Sequence, residues 1–218
     1  MRMIINCYSG GMTSNAALSA RAVYFGYGEH DVLHSVDLDV RSGEVVALAG
    51  HNGSGKSTLV EILAGVKGPR RGDVRRGGDL ALVVQRPAVP DALPVTAADV
   101  VRMGTWKRGA RLSRAAARRA VSQALVRVDM SELAGRPLAE LSGGQRQRVF
   151  LAQGIVRAPS ILLLDEAAAG LDRESAARMQ LILREEAARG AAVCTVTHDD
   201  AAVAAADRVV RLERGRVV

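Results

Sequence analysis

Aromatic residues are scarce in this chain, at 3% of 218 positions, and there are only two cysteines. Modules that read single-stranded nucleic acid stack bases on aromatic side chains interleaved with basic ones, and the sequence contains no such run. Its net charge of +7 comes from 30 Lys and Arg set against 23 Asp and Glu, scattered as much as clustered, so no nucleic-acid partner is expected. Cys7 and Cys194 suggest no disulfide framework. Cys194 lies inside the apolar run AAVCTVT, where a small buried thiol is expected. No apolar run approaches the roughly 18 residues a membrane-spanning helix needs, and the first residues are too polar for a secretory leader. The expectation is therefore a cytosolic chain in a reducing compartment, whose membrane role, if it has one, comes through a partner.

The length suffices for one large domain or a domain with an inserted subdomain. Residues 1–20 read as a flexible tail rich in Ser, Gly and Asn. From Arg21 the stretches VYFGYG and VLHSVDLDV alternate with period two, and VVALAG follows as a continuous apolar run. This reads as a half-exposed sheet leading into a buried central strand. The middle of the chain is helical in character: LSRAAARRAVSQALVRV offers Ser113 as N-cap and places Val121, Ala124, Leu125 and Val128 on one face. Strand-like SILLLD, a helical segment, strand-like AAVCTVTH, another helical segment and two short strands then alternate. Such alternation predicts an α/β fold with a mainly parallel sheet and flanking helices, into which the helical middle is inserted.

GHNGSGKS, Gly50 to Ser57, matches G-x-x-x-x-G-K-[ST] and stands between a strand and a helix, the context this phosphate-binding loop requires. The glycines turn backbone amides toward phosphate oxygens, Lys56 adds a point charge, and Ser57 supplies a ligand for Mg²⁺. His51 fills a variable position of the pattern and is expected to be exposed.

ILLLDE places two carboxylates, Asp165 and Glu166, at the tip of a buried strand, a costly position unless a cation compensates them. Ligands of open parallel sheets gather at the C-terminal strand ends, where Gly50, Asp165 and His198 each follow an apolar run. With magnesium on a bound nucleotide, Asp165 can hold the ion's inner waters while Glu166 orients and polarises the attacking water. LSGGQ opens a second anion-binding helix start at Ser142, Gly143 and Gly144. One nucleotide has one γ-phosphate, so this second feature needs another ligand or another subunit.

GHNGSGKST, VVQRP, LSGGQRQR, ILLLDE, AGLD and VTHD occur here in the order and approximate spacing of ATP-binding-cassette (ABC) ATPases, and the chain resembles that family from Arg21 to its end. The resemblance implies a P-loop NTPase core over residues 21–90 and 157–218, with an antiparallel β subdomain and a helical subdomain over residues 91–156. It implies ATP and Mg²⁺ as cofactors, and a head-to-tail dimer in which each ATP lies between the P-loop of one copy and the signature of the other. The nucleotide-contacting positions would be Gly50, His51, Asn52, Gly53, Ser54, Gly55, Lys56, Ser57 and Thr58, with Ser142, Gly143, Gly144 and Gln145 of the signature. Tyr27 would stack on adenine, although Tyr24 and Phe25 compete for that role and a core tyrosine is the plain alternative. Ser57, Gln85 and Asp165 would hold Mg²⁺; Glu166, His198, Gln85 and Lys56 would be catalytic; Asp172 would cross the dimer interface. Ala167 and Ala168 stand where relatives commonly have Pro-Thr or Pro-Phe, which puts loop stiffness in question but not the chemistry.

The segment PDALPVTAADVVRMGTW is similar to importers of zinc and manganese. The resemblance then implies permease subunits and an extracellular substrate-binding protein as partners, with this chain on the cytoplasmic face of the membrane. Motors of iron-chelate importers or of efflux pumps are the alternatives. Trp106 fits either a permease contact or a core position.

Overall fold

The computed structural model describes residues 16–84, 93–106, 112–168 and 170–218. Strands β1 (Ala16–Tyr27), β2 (His30–Arg41) and β3 (Val45–Ala49) lead into helix α1 (Lys56–Ala64), followed by β4 (Arg71–Arg76) and β5 (Leu80–Val84). Helices α2 (Ala97–Met103), α3 (Arg114–Arg127) and α4 (Gly143–Ile155) come next. The chain closes with β6 (Ile161–Asp165), α5 (Arg173–Ala188), β7 (Ala192–Val196), α6 (Asp200–Ala205), β8 (Arg208–Glu213) and β9 (Arg216–Val217).

Five strands in the order β5-β6-β7-β3-β8 run parallel, and β9 adds antiparallel to β8 at the edge. Their apolar runs are continuous because both faces of the sheet are covered. Side chains alternate across it: Leu162 and Leu164 of β6 join Val193 of β7 in the core shared with α2 to α5. Ile161 and Leu163, with Cys194 and Val196, join the opposite core under α1 and the β1–β2 hairpin. Each fully buried aliphatic side chain contributes roughly 1.5–3 kcal/mol relative to exposure, and the two cores fix the height of every strand tip.

The second sheet is antiparallel, in the order β2-β1-β4. The sequence-based tail is too long by five residues at least. Ala16 to Ala20 are strand, and Leu18 and Ala20 are fully buried, which ties this segment to the core. Neither β4 nor β5 is among the strands the sequence patterns suggest. The Ser113 cap is present, its Oγ accepting from the Ala116 amide, with Val121, Ala124 and Leu125 buried behind it. Among the described residues no helix is long and apolar enough to cross a membrane.

Candidate active site

The loop from Gly50 to Gly55 connects β3 to α1, and its first and last positions leave no room for a side chain. Gly50 has φ 151°, and a Cβ there would lie 2.2 Å from the Leu212 carbonyl oxygen. Gly55 (φ 101°) caps α1, and a Cβ there would meet Leu33 at 2.9 Å. Because glycine caps this helix with no side-chain hydrogen bond, the first amides of α1 are open to an anion. Lys56 is buried at 5% exposure, and its Nζ donates to the carbonyls of Gly50 at 2.8 Å and His51 at 2.9 Å. The ammonium thus curls over the loop's own backbone. The Ser54 hydroxyl is buried there without a protein partner. His51 itself is exposed, as expected for a variable position.

Asp165 ends β6, one strand from β3 through β7. The Ser57 hydroxyl donates to Asp165 Oδ1 at 3.1 Å, so the start of α1 and the tip of β6 meet. Burial raises the Asp165 pKa, the Ser57 bond opposes that shift, and the neighbouring Glu166 charge adds to it. A desolvated carboxylate beside a hydroxyl, next to a phosphate-binding loop, is a set of hard oxygen donors that fits Mg²⁺. Gln85, the other expected ligand, lies outside the described residues.

Glu166 takes a left-handed backbone (φ 49°), a conformation an L-residue adopts at a cost. It lines a cleft of about 190 Å³ with Ala168, Gly170, Leu171, Val196, Thr197, His198 and Asp199. Glu166 and His198, separated by 32 positions in sequence, therefore share one opening. Ala167 is buried in the helical-side core and Ala168 packs against that core. The two small residues are thus seated by packing rather than left loose.

Ser142 caps α4 in a reciprocal box: its Oγ accepts from the Gln145 amide at 3.3 Å, and Gln145 Oε1 accepts from the Ser142 amide at 2.9 Å. Gly143 is exposed, whereas Gly144 is buried and its Cβ position lies 2.7 Å from Ser175 Oγ. Asp172 caps α5 by accepting from the Ser175 amide at 2.8 Å and from Ser175 Oγ at 3.0 Å, and these bonds hold its carboxyl below the usual range. Ser175 thus joins the signature to Asp172 within one chain. The sequence reading missed this residue, although Asp172 is a favoured N-cap type whose carboxylate accepts from the amide three residues on.

Tyr27 is the open ring of the three competitors. It is 50% exposed, while Phe25 packs against the core and meets Tyr27 edge-on at 5.1 Å between centroids. Trp106 is 73% exposed, which excludes the core alternative for it.

A family model described as ABC transporter matches residues 33–169. The hemin import ATP-binding protein HmuV of Streptomyces coelicolor is 41% identical over 204 residues, covering 87% of this chain and 72% of that protein. The aliphatic sulfonates import ATP-binding protein SsuB of Rhodopseudomonas palustris is 38% identical, covering 94% and 74%. The zinc import ATP-binding protein ZnuC of Cereibacter sphaeroides is 41% identical, covering 86% and 75%. Among solved structures, the dimeric structure of a bacterial ABC transporter cassette superposes with a TM-score of 0.80 at 25% identity, over 92% of this chain and 96% of that one.

Proposed function

The chain belongs to the ABC transporter family, and on that premise we propose that it hydrolyses ATP to power import across a membrane by separate permease chains. The observation that carries this reading is the meeting of four groups at adjacent strand tips: the Lys56 loop, the Ser57–Asp165 pair, Glu166, and His198 in the cleft beside it. The Gly50–Thr58 loop receives the triphosphate with its open amides, and Lys56 exchanges its two carbonyl partners for phosphate oxygens. Ser57 and Asp165, with Gln85, would hold Mg²⁺, which when bound offsets phosphate charge. Glu166 orients a water and takes its proton as the water oxygen bonds to the γ-phosphorus. The bond from that phosphorus to the bridging oxygen breaks, and ADP leaves with the electron pair. His198 contacts the γ-phosphate side of the cleft, and Tyr27 stacks on the adenine.

A second copy completes each site by presenting Ser142, Gly143, Gly144 and Gln145, with Asp172 at the same face. The packing of Gly144 on Ser175, and of Ser175 on Asp172, supports treating these as one surface. A similar cassette has been solved as a dimer, which supports pairing of two copies. The chain would sit on the cytoplasmic face of the membrane, bound through permease subunits, with an extracellular binding protein delivering cargo. Relatives named for hemin, aliphatic sulfonate and zinc import match over similar lengths, which favours import over efflux. Within that range we propose a metal cargo, zinc or manganese, on the resemblance of the segment around α2. A metal chelate of the hemin kind is an equal reading, since the hemin-import relative is as similar as the zinc-import one. The direct test is Lys56→Ala: ATP affinity measured by titration should fall at least tenfold, and unchanged affinity would contradict the phosphate role.

A further inference from the structure

Lys67 and Arg70 lie between α1 and β4, in a segment to which the proposed reaction gives no task. Lys67 Nζ donates to Tyr27 Oη at 2.6 Å and stands 4.8 Å from the centre of the ring. The same ammonium is anchored to Glu61 Oε2 on α1 at 2.5 Å. Arg70 grips the hairpin tip beyond the ring: Nη1 donates to Asp31 Oδ1 at 3.1 Å, Nη2 donates to the Gly28 carbonyl, and the Arg70 amide donates to the Tyr24 carbonyl at 2.8 Å.

These contacts add little to stability, because both members of the Lys67–Glu61 pair are about a third exposed. Their geometric effect is larger. An exposed aromatic ring that must stack on a ligand loses rotamer freedom on binding, and a ring already held in place loses less. The anchor of that hold is α1, the helix whose first turn forms the phosphate cradle.

We infer that Lys67, seconded by Arg70, is a positioning residue that clasps the Tyr27 ring to α1, so that base platform and triphosphate cradle are presented to an adenine nucleotide as one unit. This rests on Tyr27 being the stacking residue, and the test separates the two ideas. It uses the full-length chain and two probes, MgATP and tripolyphosphate, the latter carrying phosphates without a base. Lys67→Met should weaken ATP binding roughly fivefold and leave tripolyphosphate binding unchanged, since the clasp acts only through the ring. Tyr27→Phe, which keeps the ring under the ammonium but loses the hydroxyl, should weaken ATP binding by no more than Lys67→Met does, and the double variant should be no weaker than Lys67→Met alone. Tyr27→Ala should weaken ATP binding further, again without affecting tripolyphosphate. Normal ATP affinity in Lys67→Met alongside impaired Tyr27→Ala overturns the clasp and leaves stacking intact. Equal loss of both probes in Lys67→Met also overturns it, because Lys67 would then act on phosphate. Normal ATP affinity in Tyr27→Ala overturns the stacking premise itself.

Discussion

The two glycines of the signature, adjacent in sequence, should respond in opposite ways to the same added methyl group. At Gly144 an added Cβ would lie 2.7 Å from Ser175 Oγ and 3.2 Å from Ser175 Cβ. Relief requires Ser175 to turn away and give up its 3.0 Å bond to Asp172, or α4 to shift from α5. Overpacking of this kind costs about 1–3 kcal/mol, while alanine returns up to about 1 kcal/mol of helix propensity, for a net loss of up to about 2 kcal/mol. In a chain of this length that corresponds to a melting temperature lower by up to roughly 8 °C. At Gly143 a Cβ meets nothing within 4 Å, so Gly143→Ala should be neutral or slightly stabilising. In the proposed dimer its methyl group would project from the helix start that the partner's nucleotide approaches, so ATP-dependent dimerisation and turnover should fall although the fold does not. Thermal unfolding by circular dichroism, read beside ATPase rates, separates the two. Ser175→Ala should remove most of the Gly144→Ala penalty, since it deletes the nearer atom. Equal melting temperatures for both glycine variants, or no relief by Ser175→Ala, would refute the packing argument.

Two further outcomes follow from charge and burial. Glu44 accepts from Arg208 Nε at 2.7 Å and from the Arg41 amide at 2.9 Å. Burial alone would raise its pKa, but these partners outweigh it and the net shift is downward. The stabilisation is therefore present above the ordinary carboxylate range and lost as pH falls through the lower folded value. Glu44→Gln should cost about 1 kcal/mol at pH 7, and the gap to the parent should close toward pH 3; a gap that widens in acid would reverse the sign. The Cys194 thiol is 1% exposed and burial pushes its pKa up to about 12. With Cys7 replaced by Ser, no thiol should react with Ellman's reagent at pH 8 until the protein unfolds, and rapid native labelling would contradict the packing of β7.

Much of this architecture is readable in the chain because local pattern and global role agree. VVALA, ILLLD and AVCTV are short and apolar at almost every position, which favours strands covered on both faces. The phosphate loop is equally plain, since Gly50 and Gly55 stand where the backbone admits no side chain. Strand β4, RGDVRR, was not legible: it is mostly exposed and charged, and its place is set by pairing with β1, not by its own hydrophobicity. Strand β5, LALVV, went unplaced beside it although its run is apolar. The start of β1 failed for a similar reason, as Ala16 to Ala20 look like tail until Leu18 and Ala20 are paired and covered. At the site, motif spacing pointed to the carboxylates and the histidine, but the links between them are tertiary. No spacing rule announces that Ser57 reaches Asp165, or that Lys67 reaches the Tyr27 ring.

In the proposed mechanism Glu166 is the base of an ATPase whose site closes between two copies of the chain. One preparation of Glu166→Gln, with its permease partner if turnover requires it, tests both halves. MgATP should bind with near-normal affinity and the protein should accumulate as a dimer, while turnover falls by about 10²–10⁴-fold, the range lost with a general base. Hydrolysis at the parent rate would contradict the assignment of the base and with it the mechanism built on the tip of β6.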